Sequence, residues 1–337
     1  MKRELRILVI NLIIILLAVA FIVISRNINK SKATEAISEF KKHPKRGDLY
    51  KLSPKNIRTV KQKINGDYIR GLHYIPNEIH HKGVVITFGG SEGSIYETMA
   101  DYLSSDGYEV VAVYYFGQQG QSENLSKVPL EIYEEIYSYI KINCKNIDQI
   151  TIVGISRGAE LALLMSTYYD SINNVVLFAP SSYVFGGIDY GNPAWIYEGK
   201  PLEYLNGEVK GIPFIQLSLC YGLNKPYKNI IGSDAIIKNS SNLEESRIKV
   251  EDSNARILIF YGTNDEVWNS KDMSKVIEEY AKKEVMIYEN KDAGHSFGSP
   301  MIIMNNMFNG GNLDANIEAD LNSKKIVLET LKIWHDN

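Results

Sequence analysis

The sequence predicts an α/β protein: a mostly parallel β-sheet with helices on both faces, preceded by a single apolar amino-terminal helix. Three observations carry this. Short apolar runs of strand length (VVITF at 84–88, NVVLFA at 174–179, RILIFY at 256–261) alternate with longer stretches of helical period. Two strand-like runs, residues 57–64 and 68–75, flank Asn65-Gly66, a two-residue hairpin signal that opens the domain. Residues 7–25 are apolar apart from Asn11, and as a helix would span roughly 28 Å, close to a bilayer core.

The elements follow in order. The apolar run is longer than the about 7–15 residues of a cleavable signal core, and no A-x-A-like site precedes Arg26. An uncleaved transmembrane anchor is therefore expected over 1–26; a cleaved signal or a buried soluble helix are the other readings. Lys2, Arg3 and Arg6 before it and Arg26, Lys30 and Lys32 after it leave its orientation poorly resolved. The short amino-terminal tail favours a domain outside the cytoplasm. Residues 27–49, with the basic cluster Lys41, Lys42, Lys45 and Arg46, read as a solvated juxtamembrane linker, helical or flexible. The folded domain is expected over 50–337. After the hairpin come a strand at 84–88, a helix from Tyr96 to Leu103 and a strand at 110–115. A helix after Pro129 then spaces Ile132, Ile136 and Ile140 by four. Strands at 174–179, 256–261 and 284–288, a helix near 273–281 and a terminal helix over 324–334 complete the alternation.

Two insertions interrupt it. Residues 181–250 carry Tyr183, Phe185, Trp195, Tyr197, Tyr204 and Phe214, which either line an apolar pocket or pack the insertion onto the core. Residues 296–319 carry Met301, Met304, Met307 and Phe308, suited to an adaptable acyl-chain site or to filling a packing gap.

The chemistry concentrates in QITIVGISRGAELALLM, residues 149–165. An apolar strand runs into Gly154-Ile155-Ser156-Arg157-Gly158 and then an amphipathic helix, the context of a nucleophile elbow. A side chain on so sharp a turn crowds the residues two before and two after it, hence the two glycines. Ser156 then stands at a helix amino terminus, where the Arg157 N–H and the helix dipole face developing negative charge. A serine hydroxyl needs a base and an orienting acid. Asp265 follows the strand at 256–261, with Glu266 as its rival and Asp272 more suited to starting a helix. His295 follows the strand at 284–288 in the loop DAGHS. His43, His73, His80, His81 and His335 lie in a linker, an early strand, a polar loop and a frayed end. The order Ser156, Asp265, His295 is that of the α/β-hydrolase fold. A second oxyanion donor is expected from Gly90 or Ser91 in GGSEGS, after the third strand.

Other classes find no support. A net charge of −3 with scattered lysines predicts no nucleic-acid partner. GGSEGS fits neither a Walker A string nor G-x-G-x-x-G. No Cys/His/Asp group has metal-ligand spacing, so neither a metal nor another cofactor is expected. Cys144 ends a helix and Cys220 lies in the first insertion; both read as structural, and would pair only if exported and close.

GGSEGS, GISRGAELAL, NPAWIYEGKPLEYL, GTNDEVWNS, AGH and GGNLDANIEAD together resemble the bile acid-CoA:amino acid N-acyltransferase/acyl-CoA thioesterase family over roughly residues 80–335. The resemblance implies an acyl-enzyme formed from an acyl thioester or ester by Ser156, Asp265 and His295. Members carry a β-sandwich domain ahead of the hydrolase domain, and about fifty residues between the apolar run and the first central strand are too few for one. Amino-acid-conjugating members use a cysteine nucleophile. With Ser156 here, water is the expected acceptor rather than an amine. An outward-facing domain would instead suit an exported esterase or peptidase, and a silent hydrolase domain would serve as a tethered binding module.

Overall fold

The computed structural model describes residues 2–189, 191–303 and 306–336 of the 337-residue chain. It opens with one unbroken helix, α1 (Lys2–Lys42), that runs through the apolar segment and the expected linker alike. None of the apolar part is buried, and it is long and apolar enough to cross a membrane. A 3-10 turn over Pro44–Tyr50 follows, and the linker turns out to be docked rather than free. Phe40 and Leu49 close over Ile317, and Lys324 Nζ donates to the Leu49 carbonyl at 2.8 Å. Lys45 pairs with Glu318, while the Arg46 guanidinium lies over the rings of Phe40 and Tyr50. Lys41, Lys42 and Lys45 of the basic cluster stay exposed as expected, whereas Arg46 is half-buried. Composition shows the charges of such a segment but not the apolar residues that pin it down.

The domain begins with the antiparallel pair β1 (Thr59–Asn65) and β2 (Arg70–Pro76). Asn65 pairs with Arg70, so the connection is the four residues 66–69 and not the two that Asn-Gly suggested. The reason is long-range. The Glu135 carboxylate accepts the N–H groups of Asp67, Tyr68 and Ile69 at 2.6–3.0 Å, satisfying the turn from outside the hairpin. Next come β3 (Val84–Phe88), α2 (Glu97–Ser104), β4 (Glu109–Tyr114), the short β5 (Val128–Pro129) and α3 (Ile132–Asn143), which carries Glu135. Then follow β6 (Ile150–Ile155), α4 (Arg157–Tyr168) and β7 (Asn174–Phe178). The first insertion holds β8 (Trp195–Tyr197), β9 (Lys200–Pro201), α5 (Ile212–Gly222) and α6 (Ile230–Asn239). β10 (Arg256–Gly262), α7 (Ser270–Tyr280), β11 (Val285–Asn290), the small pair β12 (Ile302–Ile303) and β13 (Met307–Phe308), and α8 (Leu313–Asp336) close the chain. α8 starts eleven residues earlier than the expected 324, because Asn312 Oδ1 caps it at the Ala315 N–H.

Eight strands form one sheet in the order β1-β2-β4-β3-β6-β7-β10-β11, parallel from β4 onward. Both faces are covered. Ile132, Ile136 and Ile140 of α3 pack on one side with α4, and Met99, Leu103, Val327 and Leu331 of α2 and α8 on the other. That is why β3 and β7 are buried at every position and read as continuous apolar runs. Register decides where the loops meet. Phe88 lies beside Gly154, Ile155 beside Phe178, and Phe178 beside Phe260. The loops leaving β3, β6 and β10 therefore emerge together at one edge of the sheet.

Candidate active site

Ser156 sits between β6 and α4 with φ 55° and ψ −120°, a strained conformation for a non-glycine residue. Its N–H bonds the Phe178 carbonyl at 2.8 Å, and its own carbonyl receives the Ala159 and Glu160 amides. The flanking glycines are required by space. A Cβ on Gly154 would lie 2.2 Å from the Gly158 carbonyl oxygen, and one on Gly158 would lie 2.1 Å from the Gly89 oxygen. The turn is packed against the β3 loop with no room for a methyl group.

The structure brings Ser156, His295 and Asp265 together. His295 Nε2 is 2.8 Å from Ser156 Oγ, and His295 Nδ1 is 2.9 Å from Asp265 Oδ2. Asp265 and His295 are both buried. Asp265 Oδ1 accepts from Val267 N at 2.9 Å and Trp268 N at 3.2 Å, and Oδ2 accepts from Ser270 Oγ at 2.7 Å. The carboxylate is thus fixed as an acceptor for Nδ1–H, which leaves Nε2 free to take the serine proton. Trp268 also sets its ring edge-on to the imidazole and anchors itself through Nε1 to the Ala179 carbonyl. Glu266, the rival acid, pairs instead with Lys228 at 2.7 Å, and Asp272 lies in the first turn of α7, whose cap is not Asp272 but Asn269, accepting the Asp272 N–H. The acid and base loops are clamped by the late GGN string. Gly310 bridges to Asp265 and Gly311 to Ala293, both at positive φ and in contacts that exclude any side chain. Asn309 completes the clamp, accepting His295 N at its carbonyl and Ser296 N at its side chain.

Gly90 and Ser91 line the same cavity. Their loop is held from below by Tyr115, a buried side chain whose hydroxyl donates to the Gly90 carbonyl at 2.6 Å. The Gly90 N–H is already engaged by the Glu92 carboxylate at 2.9 Å. Arg157 N–H, at the first turn of α4, belongs to the amides that lack an intrahelical acceptor. Its side chain has a separate and unforeseen job. Arg157 Nη1 pairs with Glu160 at 2.8 Å, and Nη2 donates to the carbonyls of Phe185 and Gly186. Glu160 also receives Trp195 Nε1 at 2.6 Å and Phe185 N at 3.3 Å. Burial pushes its carboxyl up to about 7, against the pull of the guanidinium. The elbow helix and the first insertion are thereby locked through one buried ion pair. The i, i+3 spacing of Arg157 and Glu160 was the available signal.

The cavity in front of Ser156 measures about 1490 Å³. Phe185, Tyr204 and Phe214 of the first insertion line it, whereas Trp195 is buried in the core and Tyr197 packs on Tyr168. Met307 of the second insertion lines it too; Met301 does not, and Met304 lies outside the described residues. Leu49 and Tyr50 supply part of the wall, a contribution the linker reading missed.

Away from this site, His73, Glu109 and Cys144 bring three potential ligand atoms within 4.8 Å of one another. Strand pairing and a helix end assemble them from distant positions, so their spacing gave no sign. Burial drives the Cys144 thiol well above its usual range and lowers His73 to about 4. The group is therefore a neutral thiol beside a neutral imidazole, with Sγ 3.6 Å from Nε2. A metal would first have to strip a proton that burial retains. Cys144 and Cys220 are both free.

Over residues 128–317 the sequence matches the family described as BAAT / Acyl-CoA thioester hydrolase C terminal. It is 24% identical over 238 residues to acyl-coenzyme A thioesterase 2, mitochondrial, of Mus musculus, covering 69% of this chain and 49% of that protein. It is 26% identical over 214 residues to acyl-coenzyme A amino acid N-acyltransferase 1 of Mus musculus, covering 63% and 46%. The chain thus spans about half the length of the curated relatives it matches. Among solved structures, an esterase of Pyrococcus furiosus superposes with a TM-score of 0.52 at 14% identity, covering 83% of this chain and 93% of that one. The acylaminoacyl peptidase of Pyrococcus horikoshii gives 0.51 at 15%, covering 83% and 42%. Those two likenesses concern the fold, and the fold is that of the α/β-hydrolases. The chain belongs to the BAAT/acyl-CoA thioester hydrolase C-terminal family.

Proposed function

We propose that the chain is a membrane-anchored serine hydrolase that cleaves an acyl thioester or ester by way of an acyl-enzyme. The observation that carries this reading is the unbroken line from Ser156 Oγ through His295 to Asp265 at the wall of a large cavity. His295 takes the Ser156 proton as the hydroxyl attacks the substrate carbonyl, and Asp265 steadies the imidazolium that results. The Arg157 N–H and an amide of Gly90 or Ser91 receive the oxyanion. For Gly90 to serve, Glu92 must first let go of its N–H. The same imidazole returns the proton to the leaving group and then activates water to release the acid. A thioester is favoured as the substrate by the named activities of the relatives, and water as the acceptor by the serine at the elbow. The anchor rests on α1, whose apolar stretch is unpacked and whose far end is built into the domain.

The test uses the full chain in detergent micelles, wild type beside Ser156→Ala. Substrates are acyl-CoA thioesters of several chain lengths and matched oxygen esters. Serine-dependent turnover with preference for the thioesters is expected. Serine-dependent turnover of esters alone would keep the three residues and discard the thioester. Full activity of Ser156→Ala on every substrate the wild type turns over would end the account.

A further inference from the structure

α5 is the oddest helix in the chain. Its sequence, IPFIQLSLCYG, is apolar almost all round, yet none of its residues is buried. A helix apolar on every side belongs in a core or a membrane. At eleven residues it is about 16 Å long, too short to cross a bilayer, and an apolar segment of that length that is not a core helix suits the interface.

Its two faces do different things. Phe214, Leu217, Ser218 and Tyr221, at i, i+3, i+4 and i+7, line the catalytic cavity. Ile212, Ile215 and Leu219 lie on the opposite face, 79%, 58% and 59% exposed. The position of the helix says what covers them. Arg26 Nη1 donates to the Gly222 carbonyl at 3.0 Å and Asn29 Nδ2 to the Leu223 carbonyl at 2.9 Å. These two residues stand immediately past the apolar run of α1, so the carboxyl end of α5 is fixed at the level where that run ends. Tyr221 and Asn224 share a groove there with Ala33, Ile37 and Phe40 of α1. Lys210 and Lys225 bracket α5, and Arg26, Lys30 and Lys32 follow the apolar run, a basic girdle suited to anionic headgroups.

We propose that the outer face of α5 (Ile212, Ile215 and Leu219) beds into the lipid surface beside α1, so that the cavity walled by its inner face takes its acyl chain from the bilayer. The substrate class is then an amphiphile dissolved in the membrane, with its carbonyl delivered to Ser156. This rests on the anchor reading of α1, and the two are separable by experiment.

The full chain, with Cys144→Ser and Cys220→Ser, is reconstituted in vesicles of phosphatidylcholine and phosphatidylglycerol. An environment-sensitive fluorophore is placed at Ile215→Cys in one preparation and at Leu16→Cys in another. Quenching by lipids with shallow nitroxides at position 215 and deep nitroxides at position 16 is the expected result. Quenching at 16 alone overturns the proposal and leaves the anchor standing. Quenching at neither overturns both. Cross-linking of position 215 between two copies, without lipid quenching, assigns the face to self-association and overturns the proposal as well. A functional arm uses Ile215→Asp/Leu219→Asp. Turnover of a long-chain substrate carried in vesicles should fall roughly tenfold or more, with hydrolysis of a short water-soluble ester unchanged. An equal fall on both substrates, or on neither, contradicts loading from the bilayer.

Discussion

Replacing Arg157 by methionine would test how the cavity wall is fastened to the elbow helix. The variant keeps a long side chain and the backbone N–H at the elbow. It leaves Glu160, with no exposed surface, holding Trp195 Nε1 and Phe185 N but no cation. Breaking a buried pair from one side costs about 3–5 kcal/mol, equivalent to a fall in Tm of about 10 °C for a domain of this size. The cost depends on pH with a defined sign. Burial already raises the Glu160 carboxyl from 4.5 to about 7, and losing the guanidinium raises it further. A carboxyl with a raised folded pKa supports the fold fully below its unfolded value of 4.5, and that support is lost as pH rises through the folded value. The Arg157→Met penalty should therefore shrink as pH is lowered from about 8 to about 5.5. Adding Glu160→Gln removes the stranded charge, and the double variant should regain at least about half of the lost stability at the higher pH. Thermal melts of wild type, Arg157→Met, Glu160→Gln and the double variant across that range measure all of this. Turnover at a temperature where each is folded should stay within about tenfold of wild type, since the Arg157 amide is retained. A penalty below about 1 kcal/mol, or one indifferent to pH and to Glu160→Gln, would show that the ion pair does not fasten the wall.

Three further outcomes are expected. Asp265→Asn should lower kcat by about 10⁴ with little change in Tm, because the amide holds His295 in the wrong tautomer while its carbonyl still receives Val267 N; steady-state rates within tenfold of wild type would exclude Asp265 as the orienting acid. Glu92→Ala should raise kcat/KM severalfold and Glu92→Gln less, since only alanine vacates the Gly90 N–H; a fall in kcat/KM with unchanged Tm would mean that Glu92 assists the reaction. His73, lowered by burial from 6.5 to about 4, makes the fold acid-sensitive. Its stabilising share is intact above 6.5 and is lost as pH falls towards 4, at most about 3 kcal/mol. His73→Gln should flatten the acid limb of a Tm–pH curve, and an unaltered limb would contradict this.

What could be read in the sequence was what short spans encode. The Gly154 and Gly158 spacing states a local steric demand, and Asp265 and His295 each follow a strand whose apolar run is self-evident. Parallel register then brings separate loops to one edge, so chain order sufficed to pair them. Illegible were contacts between distant residues with no pattern of their own. Glu135 capping the turn ahead of β2, Ser270 beside Asp265, Tyr115 under the Gly90 loop and the His73–Glu109–Cys144 group all depend on strand order and helix placement. Glu92 is a different failure: a charged residue two positions from the expected donor was visible, but the turn that folds it back onto Gly90 was not. The linker was misjudged because its charges outnumber Phe40 and Leu49, though those two decide where it lies.

The docked 3-10 turn makes α1 a lever rather than a leash. Phe40 grips the carboxyl end of the helix, and Leu49 and Tyr50, a few residues on, are part of the cavity wall. With about 25 Å of helix between Arg26 and Lys42, a few degrees of tilt move that end by an ångström or more. The domain must answer either by opening the seam around Ile317 or by shifting the wall that faces the substrate. On the proposed reading of α1 as a membrane span, bilayer thickness, which a helix can accommodate by tilting, becomes a mechanical input to the shape of that cavity.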